Sequence, residues 1–230
     1  MSQKWKRCVP VLVAIVGCGL PRDSAGTMDR VRGGVIRVGV VVDTPWTTDS
    51  TGEVGGIEGA MVRTLGRDLN ARVNWLRGSE GDLLAALENR ELDLVIGGLS
   101  VASPWQKRVA FTRPYYVDTV SIGGAPNEPP PASLEHMRIA LKSGDPAAAD
   151  VRKKGGTPQF VPRLDSVRGP IAAPTWQLAR LARRENPSLR LTQTQHVLAA
   201  APGENAFLVR VEQTLIDHRA EVPALLRRSQ

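Results

Sequence analysis

The chain reads as an α/β protein built around parallel sheets, and three observations predict this. Short apolar runs rich in β-branched residues, VIRVGVVV at 35–42 and LDLVIGG at 92–98, alternate with segments that are apolar at helical spacing. The second run ends in Gly97-Gly98, the kind of strand end where a ligand can approach the backbone closely. A Pro-rich segment, NEPPPA at 127–132, is stiff and extended and separates this series from a second one.

The elements follow in order. Val35 to Val42 suits a central strand covered on both faces. Residues 58–71 place Met61, Val62, Leu65 and Leu69 on one helix face. Val73 to Leu76 is a second strand, Gly81 to Asn89 a short helix carrying Leu83, Leu84 and Leu87, and Leu92 to Gly98 a third strand. Val117 to Gly124 is a strand leaving this unit. Beyond the Pro-rich link come a strand at 137–141, a helix at 145–154 capped by Asp145, and an extended piece at 159–162. A helix at 174–184 and a short strand at 189–191 follow. His196 to Ala200 is a strand returning to the first unit, with His196 structural. An amphipathic helix at 203–218 (Phe207, Leu208, Val211, Leu215) and a last turn at 222–226 close the chain.

The N-terminus reads as an export signal. Lys4, Lys6 and Arg7 precede a short apolar run, Val9 to Gly17, which is too short to span a bilayer. It ends in Ile15-Val16-Gly17-Cys18, which resembles a bacterial lipoprotein box and implies an acylated Cys18 anchoring the chain to a membrane; plain cleavage near Ala25 is the alternative. Residues 1–18 are thus expected to be signal and 19–34, with Pro21, Gly26, Gly33 and Gly34, a tether. Cys8 and Cys18 are the only cysteines, so no disulfide is expected in an exported domain that must rely on its core. The net charge of +7 is concentrated in the signal and the second half, where residues 125–197 hold 11 Lys/Arg against 6 Asp/Glu. With no basic-aromatic motif, nucleic-acid binding is excluded as a function class.

One stretch carries a family resemblance. Asp93, Gly98, Leu99 and Ser100, followed by Phe111-Thr112-Arg113-Pro114-Tyr115-Tyr116, match a signature that reads roughly D-x-x-x-x-G-(hydrophobic)-[ST], then F-[ST]-x-P-Y. Asp43-Thr44-Pro45-Trp46 matches D-x-x-[PA]-[FY], and Gly56-Ile57-Glu58 matches G-[FIV]-[DE]. The chain is similar to bacterial extracellular solute-binding proteins of family 3, the polar amino-acid type that serves ABC importers. The resemblance implies a type II periplasmic-binding-protein-like fold, with lobe one at 35–123, lobe two at 124–197 and a return to lobe one at 198–230. Two extended crossings, at 117–124 and 196–200, would join the lobes and let them close on a ligand.

The site expected from this resemblance consists of Asp43, Trp46, Gly98, Ser100, Trp105, Lys142 and Ser143. Trp46 would either wall the cleft or pack in the core, and Asp43 would either hold a cationic group or bond turn amides. Gly98 and Ser100 would present donors to an anionic oxygen. Lys142 and Ser143 would meet an anion at a helix start, although Asp145 works against this. Glu58, at a helix start, reads as structural. Two departures matter: Trp105 stands where the family has its ligand-gripping arginine, and Ala173 where an acid usually holds the α-ammonium. Trp105 would either stack on a ligand or pack in the lobe. A free α-amino acid is therefore not the expected cargo.

No catalytic set is legible. His136, His196 and His218 lack metal-ligand spacing, and no G-x-S-x-G elbow is present. The expectation is a monomeric, non-enzymatic, lipid-anchored protein without metal or cofactor. It would capture a small molecule for an ABC permease. The alternative is an accessory or sensory lipoprotein that kept the fold without the cargo.

Overall fold

The computed structural model describes residues 21–50 and 52–228. The expected signal and Cys18 lie outside the described residues. The first elements are α1 (Thr27–Val31), β1 (Val35–Val40), β2 (Thr48–Ser50), β3 (Glu53–Gly55), α2 (Gly56–Asp68), β4 (Arg72–Arg77), α3 (Glu80–Glu88), β5 (Leu94–Ile96) and β6 (Ala110–Phe111). β7 (Tyr116–Gly123) leads to β8 (Arg138–Lys142), α4 (Ala147–Lys153), β9 (Thr157–Val161), β10 (Ile171–Pro174) and α5 (Thr175–Arg180). β11 (Glu185–His196), β12 (Ala199–Ala200), α6 (Asn205–His218) and α7 (Val222–Arg228) complete the chain.

Two mixed five-stranded sheets, ordered β4-β1-β5-β12-β6 and β11-β7-β10-β8-β9, form two lobes. In the first, β1 lies parallel between β4 and β5, as its unbroken apolar run requires. Ile36, Val38 and Val40 are fully buried, and α2 lays Ile57, Met61, Val62 and Leu65 on the same core. In the second lobe β10, β8 and β9 are parallel, with α4 and α5 covering them.

The lobes are joined by the antiparallel pair β7 and β11, with Tyr116 opposite His196 and Thr119 opposite Gln193. The return expected at 196–200 is made by 193–196, and Ala199 and Ala200 already belong to the first sheet. The helix expected over 174–184 stops at Arg180. Ala182 takes a left-handed conformation (φ 51°). The Arg183 guanidinium donates to the carbonyls of Gly124 (2.8 Å), Gly169 (2.7 Å) and Val167. These bonds draw the chain out of the helix and into β11.

The segment expected as a tether is bonded into the first lobe at Asp23 and beyond. Val31 is fully buried in the first core. The Asp23 carboxylate accepts from the amides of Met28 (2.6 Å), Ala206 (2.6 Å) and Phe207 (3.0 Å). Glu204, fully buried, accepts from Ser24 Oγ and from the amides of Ala25 and Thr27. Two carboxylates on either side of the join thus satisfy helix-start amides that would otherwise lack partners.

Candidate functional site

The carboxyl end of β5 meets the hinge and the loop after β1, and this junction is built around a buried acid. Glu58, in the first turn of α2, is fully buried. Its carboxylate accepts from the amides of Gly97 (2.7 Å) and Gly98 (3.2 Å) and from the Tyr115 hydroxyl (2.5 Å). Burial pushes the group up to about 7 against these three donors, with Asp43 adding a like-charge contribution. Glu58 is structural as expected, but it takes the Gly98 amide that was expected to serve a ligand.

The other face of Gly98 is covered as well. Gly98 has φ +68°, and a Cβ there would collide with Asp43 Oδ2 and lie 2.6 Å from Trp46 Cδ1. Glycine is needed here for both conformation and space. Asp43 is exposed as a residue, yet desolvation around its carboxyl raises its pKa. Trp46 is 5% exposed and packs in the core. Its ring lies 3.9 Å from that of His196 at a 34° tilt and 5.6 Å from Tyr116. Of the two expectations for Trp46, core packing is the one seen: it belongs to a cluster at the hinge, where the returning strand seats His196 on the indole.

Ser100 bridges to His196, and the Val101 amide donates to the Gln195 carbonyl. Ser100 Oγ accepts weakly from Ala102, at 3.3 Å. His196 Nδ1 lies 3.2 Å from the Gly98 carbonyl, and its buried Nε2 has no partner among the described residues. Desolvation lowers this imidazole to about 4, so it is neutral.

Trp105 is elsewhere. It packs against the cluster that holds Leu83, Leu84, Leu87 and Val109. The Arg108 guanidinium lies 4.2 Å over its ring and pairs with Glu88. Ser103 caps the short 3-10 turn, opened by Pro104, that carries Trp105. Of its two expected roles, packing is the one observed.

On the second lobe, Lys142 and Ser143 are exposed at the end of β8. The start of α4 is not open to an anion: Asp145 Oδ1 accepts from the Ala147 amide at 2.9 Å. Lys142 instead borders a depression of about 350 Å3, lined also by Arg163, Asp165, Gln177 and Arg180. This depression lies beside the carboxyl ends of β8 and β9, where open α/β sheets bind ligands. Ala173 is fully buried in β10 and offers no polar group.

Asp118, on crossing strand β7, was not singled out from the sequence. Its Oδ1 is buried without a partner among the described residues, and Oδ2 receives a 3.5 Å bond from Trp176 Nε1. Burial, with Asp145 adding a like charge, raises it to about 6. The one charged residue in the strand YVDTVSIG was the available signal. The structure thus brings Asp43, Trp46, Gly98 and Ser100 together at the hinge. Lys142 and Ser143 lie on the facing lobe, and Trp105 belongs to neither group.

Among the described residues there is no cluster able to hold a metal and no helix long and apolar enough to cross a membrane. No curated protein sequence matches the chain. Solved structures resemble it closely in fold. An ancestral cationic amino acid solute-binding protein superposes with TM-score 0.68 at 17% identity, covering 88% of this chain and 98% of the other. The L-cystine solute receptor of Neisseria gonorrhoeae, unliganded and open, gives 0.66 at 13%, covering 85% and 92%. A putative ABC transporter binding component of Wolinella succinogenes, complexed with lysine, gives 0.60 at 18%, covering 85% and 95%. The two-lobed α/β architecture is that of type II periplasmic binding proteins. The model for bacterial extracellular solute-binding proteins, family 3, matches residues 36–220, and the chain belongs to that family.

Proposed function

We propose that this solute-binding protein is anchored by lipid at Cys18, takes a small molecule other than a free α-amino acid between its lobes, and presents it to an ABC permease. One observation carries the cargo reading. The Gly98 amide is spent on Glu58, and Asp43 and Trp46 cover the other face of the same glycine. A carboxylate grip at this strand end is thereby lost, and neither Trp105 nor Ala173 restores an amino-acid anchor. The exposed Lys142 and the depression beside it favour a solute held on the second lobe through an anionic group.

The test is a thermal-shift screen of the protein with amino acids, amines, organic acids and sugars. An organic anion at about 100 times its dissociation constant should stabilise the protein by roughly 2.7 kcal/mol. A shift with a free α-amino acid would refute the cargo reading.

A second reading is an accessory or sensory lipoprotein that binds no transported solute. The packing of Trp46 on His196 favours it, since this fills the first-lobe side of the hinge. Silence across the whole screen would select this reading over the first.

A further inference from the structure

We propose that the groove between α2 and β4 is a seat for the anionic headgroups of a membrane surface, at the pole of the first lobe where the N-terminal chain enters. The groove has a volume of about 590 Å3 and is lined by Arg63, Arg67, Asn70, Arg72, Val73 and Trp75, among others. It combines three cations with a half-buried indole, and an indole suits a boundary that is apolar on one side and wet on the other.

A set of arginines elsewhere in the protein is tied to acids, and among the described residues the three of the groove are not. Arg30, Arg37, Arg77, Arg90, Arg108, Arg113, Arg163 and Arg210 each sit within ion-pair distance of a carboxylate. Arg63, Arg67 and Arg72 form no ion pair among the described residues. Arg63 donates to the Val54 carbonyl, and Arg67 to Thr64 Oγ1 at 2.8 Å, which leaves further guanidinium donors available. The nearest acid on α2, Asp68, is held by Arg210 at 2.6 Å. A fork of donors without a counter-charge is suited to phosphate oxygens.

Position supports the same occupant. β1, β4 and β5 run from this pole toward the hinge, so the groove lies at the end of the lobe opposite the cleft. The Arg72 amide donates to the Gly34 carbonyl, and the Gly33 amide to the Leu69 carbonyl, both at 2.9 Å. The chain arriving from the N-terminus therefore passes directly beside the groove. Arg22 and Arg32 are exposed on that arriving segment, against Asp29 on the same segment and Glu91 ahead of β5. Charges act on a membrane surface only within about 8 Å at physiological ionic strength, so only this pole would feel it.

The inference uses the anchored reading for the protein's location, not for the groove's chemistry. Mass spectrometry of Cys18 tests the anchor separately. The experiment is flotation of the full chain with phosphatidylcholine vesicles and with vesicles that also contain phosphatidylglycerol. The ratio of the two partition coefficients measures headgroup preference, and the N-terminal cations are common to every variant. Arg67→Glu/Arg72→Glu should lower that ratio by at least about tenfold. Lys153→Glu/Lys154→Glu, the same charge change at an exposed site on the second lobe, should leave it unchanged. Equal loss in both variants, or no loss in the first, would overturn the proposal. If the first variant melts early, Arg67→Gln/Arg72→Gln is read by the same criterion. Loss of the anionic preference in millimolar glycerol phosphate would assign the groove to a soluble anion and overturn the membrane reading.

Discussion

The carboxylate of Glu58 accepts the Gly97 amide at 2.7 Å, so the strand end that faces the cleft is tied to the first turn of α2. Because the acid is fully buried, this tie depends on pH. Glu58 rises from 4.5 to about 7 on folding. Its contribution to stability is complete below about pH 4.5 and is lost as pH climbs through 7, roughly 3 kcal/mol in all. His196 has the opposite sign: its pKa falls from 6.5 to about 4, so its contribution is complete above 6.5 and lost on acidification through 4. Denaturant titrations from pH 4 to 9 should show loss of stability on both sides of a mid-range maximum. Glu58→Gln should flatten the alkaline limb only, and His196→Gln the acid limb only.

Tyr115→Phe removes one of the three donors to Glu58 and leaves the other contacts of the ring in place. Stability at pH 8 should fall by about 1.5–3 kcal/mol, as for a hydrogen bond to a charged group. The alkaline limb should extend to higher pH, because loss of this donor to the ionised acid raises the folded-state pKa of Glu58 further. A limb that stays in place would mean that Glu58 does not titrate in this window.

Gly98→Ala should cost about 2–3 kcal/mol, from a strained left-handed conformation and a collision with Asp43 and Trp46. Adding Asp43→Ala should recover part of the loss, since one of the colliding groups is gone. Additive losses in the double mutant, measured by urea denaturation, would show that Asp43 does not press on Gly98.

Trp105→Ala should destabilise by about 2–4 kcal/mol, as expected for truncating a partly buried indole covered by Arg108. Affinity for any solute found by the thermal screen should not change. A selective loss of affinity by calorimetry would return Trp105 to the ligand.

Lys142→Ala should weaken binding of an anionic solute about tenfold or more with little effect on melting, because the side chain is exposed at the edge of the depression. Unchanged affinity would move the anion site away from the second lobe.

The parallel strands and the main helices were legible because their apolar periods are strong: β1 and α2 lie within a few residues of their expected bounds. What could not be read locally depended on long-range bonds. Nothing near Leu181 announces a helix end. The cause is Arg183, which reaches carbonyls 59 and 14 residues away. Likewise α1 looks too short and polar to be fixed, and it is fixed by Asp23 and Glu204, which lie 181 positions apart. The site was half legible. Motifs located Asp43, Trp46, Gly98 and Ser100, and the hinge strand gathers them. Whether Gly98 was free to bind depended on the direction of the Glu58 side chain, which no spacing reveals.

The clasp of Asp23 on α6 also has a mechanical consequence. A pull on the chain at Pro21 enters the first lobe through Asp23, Ser24 and Glu204, and reaches the second lobe by way of β7 and β11 and of the packing of α5 on α7. Whatever holds the N-terminus therefore holds the first lobe as a fixed frame. On the proposed anchor, closure of the lobes would be a swing of the second lobe, and a permease would meet one stationary face and one moving one.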